Sequence, residues 1–185
     1  MKIAILAWGS LVHDPRELPY EHPWLLDGPK LPIEFSRVSK DARLTLVIDP
    51  EHGAEVPTRF ASSTRTTLPD AVADLRDREG TVIKRIGFTD STGTRVSFHE
   101  HADHKFAHER LLPWLSSSGY DAVVWTALPS NYSKQQSHAF TVPHAIAYIR
   151  SLPIAPRDNA LDYIRKAPPE VQTALRKALT LERLL

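Results

Sequence analysis

The chain contains no cysteine, and that absence alone excludes disulfides, thiol nucleophiles, iron-sulfur clusters and cysteine zinc sites. Any chemistry must come from Glu, Asp, His, Ser, Lys, Tyr or the backbone. Glycine is also scarce, the seven standing at 9, 28, 53, 80, 87, 93 and 119. No pair of them has the spacing of GxGxxG, of a Walker A loop or of GxSxG, so dinucleotide, P-loop and nucleophile-elbow readings fall together. No apolar run approaches the roughly 18 residues that would cross a membrane. The apolar stretch 3–7 runs into Gly9-Ser10-Leu11 with no small-residue cleavage pattern, so it reads as a strand and not as a secretory leader. An excess of charge is missing as well. Lys+Arg 23 against Asp+Glu 22 leaves a net charge of +1, and no sequence-wide field draws the protein to nucleic acid or anionic lipid. The expected partner is a small molecule, with neither nucleic acid nor membrane, and the expected compartment is the cytoplasm; the oligomeric state is open.

What is present is an ordinary globular composition, 42% hydrophobic and 24% charged over 185 residues, enough to bury about 70% of the unfolded surface. This size favours one domain, residues 1–142, with a helical C-terminal extension, residues 143–185, packing on the same core. Short segments rich in β-branched or aromatic residues, at 3–7, 31–36, 44–48, 59–63, 83–89, 95–99 and 121–128, read as strands. Leu68–Glu79 changes to helical period, opened by the capping-box-like Thr67-x-x-Asp70 and closed by Gly80. A second helix is expected at 101–115, and beyond 143 the pattern is helical, broken by Pro153, Pro156 and Pro168-Pro169. Val171, Leu175, Ala178 and Leu179 share one face of the last segment. The expected class is α+β, a mixed sheet or small closed β-barrel flanked by helices.

Glu79 is the most informative position. Stepping about 100° per residue places it on the stripe of Leu68, Val72 and Leu75, where a core residue would sit. A carboxylate turned inward loses hydration and becomes suited to taking and returning protons near neutrality. The neighbouring Asp70, Asp74, Asp77, Arg76 and Arg78 lie away from the stripe and read as solvated charges, Asp74 with Arg78 having i,i+4 spacing. The second feature is Trp8-Gly9-Ser10-Leu11, directly after the first strand. A glycine there lets the backbone turn sharply and bring successive N–H groups to a carboxylate or a developing oxyanion.

In this order the two features resemble the γ-glutamylcyclotransferase superfamily, which includes the glutathione-degrading ChaC-type enzymes and the γ-glutamylamine cyclotransferases. Trp8-Gly9-Ser10-Leu11-Val12 is similar to that family's Tyr-Gly-Ser-Asn/Leu-Leu loop, and Leu75-Arg76-Asp77-Arg78-Glu79-Gly80 to its Leu-Asp-x-x-Glu-Gly-like helix end. Phe35-Ser36-Arg37 through Arg43-Leu44-Thr45-Leu46 resembles the strand pair between them, so the match spans roughly residues 1–128. The chain departs from the pattern at Trp8, where the family has tyrosine, and at Val12, and only Tyr132 loosely matches a later family tyrosine. The resemblance implies Glu79 as acid/base and Trp8, Gly9, Ser10 and Leu11 as substrate-binding residues. It implies a reaction in which the substrate's α-amine attacks its γ-glutamyl carbonyl, releasing 5-oxoproline and an amine with no cofactor.

Two other readings stand beside it. His99, His101, His104 and His108, with Glu100, Asp103 and Glu109, could hold a divalent metal for hydrolysis, since His101, His104 and His108 would share a helix face. The segment lacks HExxH, so no metal is expected there. The third reading is a module that binds the same small molecule without turning it over.

Overall fold

A computed structural model of the chain describes residues 1–101 and 104–185. By internal packing these divide into two compact units, Met1–Lys30 with Pro57–Leu128, and Leu31–Val56 with Pro129–Leu185.

In the first unit the apolar run becomes β1, Ile3–Ala7, with all five residues buried. It is interior: β5 (Arg59–Ser62) pairs with it antiparallel and β7 (Ala122–Thr126) parallel, while β6 (Ile86–Asp90) pairs antiparallel with β7. The result is a four-stranded mixed sheet in the order β5-β1-β7-β6. Helix α1, Ser10–His13, follows β1 at once, and α2, Leu68–Glu79, covers one face of the sheet. Leu68, Ala71, Val72 and Leu75 of α2 are buried together with Ile3, Ile5, Ala7, Ile86, Ala122 and Val124. Strand alternation turns Val123 and Trp125 to the opposite face, where the His104 ring lies 6.5 Å from the Trp125 ring and α3, Lys105–Ser118, begins.

The second unit holds an antiparallel sheet in the order β3-β2-β4, built from β2 (Lys30–Val38), β3 (Leu44–Ile48) and β4 (Ala54–Pro57). Its helices are α4 (Tyr132–Gln136), α5 (Val142–Ser151), α6 (Ile154–Lys166) and α7 (Ala174–Leu181). Phe35 of β2 meets Tyr163 of α6 edge-on at 6.3 Å. Of the four residues expected on one helix face, Leu175 and Leu179 of α7 are fully buried, Ala178 is half-buried, and Val171, also fully buried, lies before the helix begins. Glu34 is buried too, its carboxylate accepting the N–H groups of Ala174 and Leu175 at the start of α7.

The chain is α+β, as expected, but its strands form two sheets and neither closes into a barrel. Residues 95–99 do not make a strand: only Val96 bridges to Thr89, and Ser97–His99 is a 3-10 turn. The physical reason is local. The Ser97 hydroxyl, not a backbone carbonyl, takes the Phe88 N–H at 3.0 Å, which ends the ladder. Residues 83–85 are likewise 3-10, so β6 starts at Ile86. The second helix begins at Lys105, leaving His101 outside it. Pro156 does not break the chain; it sits in the first turn of α6, where no intrahelical N–H is needed. Among the described residues no helix is long and apolar enough to cross a membrane.

Candidate functional site

The parallel pairing of β1 with β7 brings the carboxyl ends of these two strands to the same edge of the sheet. Ile3 is opposite Ala122 and Ile5 opposite Val124, a register that, carried on, takes Ala7 to Thr126. Gly9 follows one strand and Thr126 ends the other. The carboxyl ends of parallel strands are where open sheets leave room for ligands.

After β1 the chain turns through Gly9, which caps α1. Its carbonyl accepts the Val12 N–H at 3.0 Å, and the Ser10 carbonyl accepts the Asp14 N–H at 2.8 Å. The amides of Ser10 and Leu11 therefore precede the first bond of the turn. Leu11 sends its side chain into the core of the first unit, and Trp8 is buried, whereas Gly9 and Ser10 are half-buried.

Helix α2 ends sharply at the other component of the site. Gly80 takes the left-handed conformation, φ 59°, and the Gly80 and Thr81 N–H groups return to the Asp77 and Arg76 carbonyls at 3.1 and 3.2 Å. This fixes the last turn, and with it Glu79, against fraying. The helix start is equally defined: the Thr67 hydroxyl donates to the Asp70 carboxylate and accepts the Asp70 N–H.

Glu79 is turned inward as its helical phase requires, the side chain 14% exposed. Both of its contacts fall on one oxygen: Oε1 accepts from Arg78 Nη1 at 2.6 Å and from the Thr126 hydroxyl at 3.2 Å. Oε2 has no hydrogen-bond partner among the described residues. Arg78, read from the sequence as a solvated charge, is a correction: its side chain is only 4% exposed. Its guanidinium donates through Nε and Nη2 to the Asp14 carbonyl at 3.2 and 2.5 Å, and through Nη2 to Ser10 Oγ at 3.3 Å. Arg16 returns the tie, donating to the Arg78 carbonyl at 2.9 Å. Asp74 does not pair with Arg78 and is bound instead by Arg65, at 2.7 Å. One guanidinium thus links the Ser10 turn to the Glu79 carboxylate, so two of the expected site features meet within one unit. Arg78, Thr126, Asp14 and Arg16 were not read as site residues; the signal that was available is the adjacency of Arg78 to an inward-facing Glu.

The histidines are organised differently. His104 is buried, with Nδ1 2.9 Å from the Ser97 hydroxyl, and His108 Nδ1 lies 2.9 Å from the Thr89 hydroxyl. Burial, more than the nearby His99, holds the His108 imidazole below its usual range. Among the described residues no three His, Asp or Glu side chains are grouped to hold a metal ion; Asp103 lies outside them. Phe35-Ser36-Arg37 and the run from Arg43 do form a strand pair, Arg37 opposite Thr45, but in the second unit. Tyr132 belongs to that unit as well, fully buried against Phe140, with its hydroxyl pushed up to about 12 by burial.

No known protein family, curated protein or solved structure matches the chain.

Proposed function

We propose that the chain is a cofactor-independent cyclotransferase acting on a γ-glutamyl peptide or amine, of the γ-glutamylcyclotransferase-like kind. The observation that carries the reading is the Glu79 carboxylate, held through Oε1 by Thr126 and by an Arg78 that also bonds Ser10 Oγ, while Oε2 has no hydrogen-bond partner among the described residues. Such a carboxylate is fixed in position and still has an oxygen on which to carry a proton.

In the proposed reaction Glu79 Oε2 removes a proton from the substrate α-ammonium. The freed amine attacks the γ-carbonyl carbon, forming a C–N bond and a tetrahedral oxyanion. The Ser10 and Leu11 amides beyond Gly9 would receive either that oxyanion or the α-carboxylate, and Trp8 would supply an aromatic wall. Collapse breaks the bond to the leaving nitrogen, which takes the proton back from Glu79, while the ring nitrogen, protonated by the attack, gives its second proton to solvent. The products are 5-oxoproline and a free amine. Because nucleophile and electrophile belong to one molecule, holding the substrate folded supplies much of the rate.

The test is 5-oxoproline release from a panel of γ-glutamyl dipeptides, glutathione and γ-glutamylamines, with and without chelator. Turnover insensitive to chelation supports the reading, and Glu79→Gln should lower it by about 10² to 10⁴ while binding is retained. Saturable binding without turnover in the native protein would favour the binding module, and chelator-sensitive hydrolysis a metal site.

A further inference from the structure

We infer that Arg78 is the positioning residue of this site, the group that holds the Glu79 carboxylate and the turn at residues 10–14 in one geometry. The inference rests on the cyclotransfer reading, since it gives Arg78 a role through Glu79 and not by contact with the reacting atoms.

The bonds of the guanidinium are distributed unevenly for a simple ion pair. One goes to Glu79, while three go to the turn: two to the Asp14 carbonyl and one to Ser10 Oγ. The turn needs them. Helix α1 spans four residues, too short to hold its own conformation in water. The chain just beyond it is tied to the end of α2 by two bonds, Arg78 donating to the Asp14 carbonyl and Arg16 to the Arg78 carbonyl. Glu79 needs them too, because without Arg78 only the Thr126 hydroxyl holds Oε1. A planar guanidinium can address a carboxylate, a hydroxyl and a carbonyl at once, whereas an ammonium is a single point of charge. Arg76, two residues earlier in α2, shows the contrast: it pairs with Asp77 at 2.7 Å on the surface and makes no bond to the turn at residues 10–14. Arg76 is thus a charge-matched control.

The experiment compares the native protein with Arg78→Met, Arg78→Lys and Arg76→Met. Circular dichroism checks the fold, steady-state 5-oxoproline release gives kcat and KM, and native-state hydrogen exchange follows the amides of residues 10–14. Arg78→Met should lower kcat by about 10²-fold, the scale of a misplaced reacting group, with KM moving by less than about threefold. Arg78→Lys should recover part of the loss, and Arg76→Met should leave both constants unchanged. Exchange at residues 10–14 should quicken in Arg78→Met while β1 and β7 stay protected. Should Arg78→Met not fold, Arg78→Lys carries the same comparison, with a smaller drop in kcat. A kcat within about twofold of the native value in the Arg78 variants overturns the inference, as does a drop no larger than that of Arg76→Met. If the native protein releases no 5-oxoproline from any member of the panel, the cyclotransfer reading fails by itself and exchange decides for Arg78. Faster exchange at residues 10–14 then supports the tie, and unchanged exchange overturns it.

Discussion

Thr126, the last residue of β7, donates its hydroxyl to the same Glu79 oxygen that Arg78 holds, across 3.2 Å. The bond joins the end of a strand to the end of a helix 47 residues earlier in the chain. Thr126→Val keeps the shape of the side chain and removes only the donor. Arg78 still neutralises the carboxylate in this variant, so the stability loss should be that of one hydrogen bond, about 0.5–1.5 kcal/mol by urea unfolding. The rate of 5-oxoproline release should fall by about tenfold, because Glu79 is left free to rotate about a single contact. An unchanged unfolding midpoint would mean that the Thr126 bond adds nothing to stability, and an unchanged rate would take Thr126 out of the site.

Legibility in the sequence followed the range of the interactions. Helix α2 could be read because its start and stop are local, Thr67 with Asp70 and the left-handed Gly80. Glu79 could be read by phase. Arg78 could not: its partners Asp14 and Ser10 are 64 and 68 residues away, and helical period alone treats a long arginine beside the stripe as solvated. Strand identity was visible in the β-branched and apolar content of β3 and the apolar run of β1, but composition names no partner. That β2, β3 and β4 pair among themselves, while β1 lies between β5 and β7, is a tertiary fact. The β-branched and aromatic segment 95–99 misled because a side chain, Ser97, competes for the backbone donor that a strand would use.

Gly87 pairs with Trp125 across β6 and β7, and a Cβ on Gly87 would overlap Cε2, Nε1 and Cζ2 of the indole. The indole cannot yield, being fully buried. Gly87→Ala should therefore destabilise the protein by about 3 kcal/mol, the upper end of overpacking costs. Chemical denaturation gives the size, and a shift in tryptophan emission in the folded state identifies the displaced ring. A loss below about 1 kcal/mol would mean that the two strands separate at this pair without penalty.

His108 has its titration pushed down from 6.5, first by burial and then by His99, with Glu109 opposing. The folded protein thus resists protonation of this ring more than the unfolded chain does. The sign follows: the stability it contributes is present above 6.5 and is lost as pH falls through the lowered folded value. His108→Asn keeps a donor for the Thr89 hydroxyl and removes the titration. The difference in unfolding free energy between native and variant should shrink as pH falls below 6.5, and a difference that is flat over that interval would show that His108 is not the group responsible.

Glu34 gives the opposite slope. Its carboxylate is fully buried, with Oε1 taking the Phe35 N–H at 2.8 Å and Oε2 taking the Ala174 and Leu175 N–H groups at 3.0 and 3.3 Å. Burial pushes its titration up from 4.5, more than the Thr173 side chain and the three amides pull it down. The folded protein accordingly binds this proton more tightly than the unfolded chain. The stability gained is complete below 4.5 and is lost as pH rises through the raised folded value. Glu34→Gln removes the titration but not the geometry: its amide oxygen can cap α7, while its NH₂ must then face the Phe35 N–H, donor against donor. That mismatch should cost about 1–3 kcal/mol. Urea unfolding of both proteins over a pH series separates the effects, because every other carboxylate is common to the two. The native protein should be the more stable by the largest margin at low pH, and the margin should narrow as pH rises above 4.5. A margin that widens instead would mean that the cap works best as a carboxylate anion and that the amides of α7, not burial, govern Glu34.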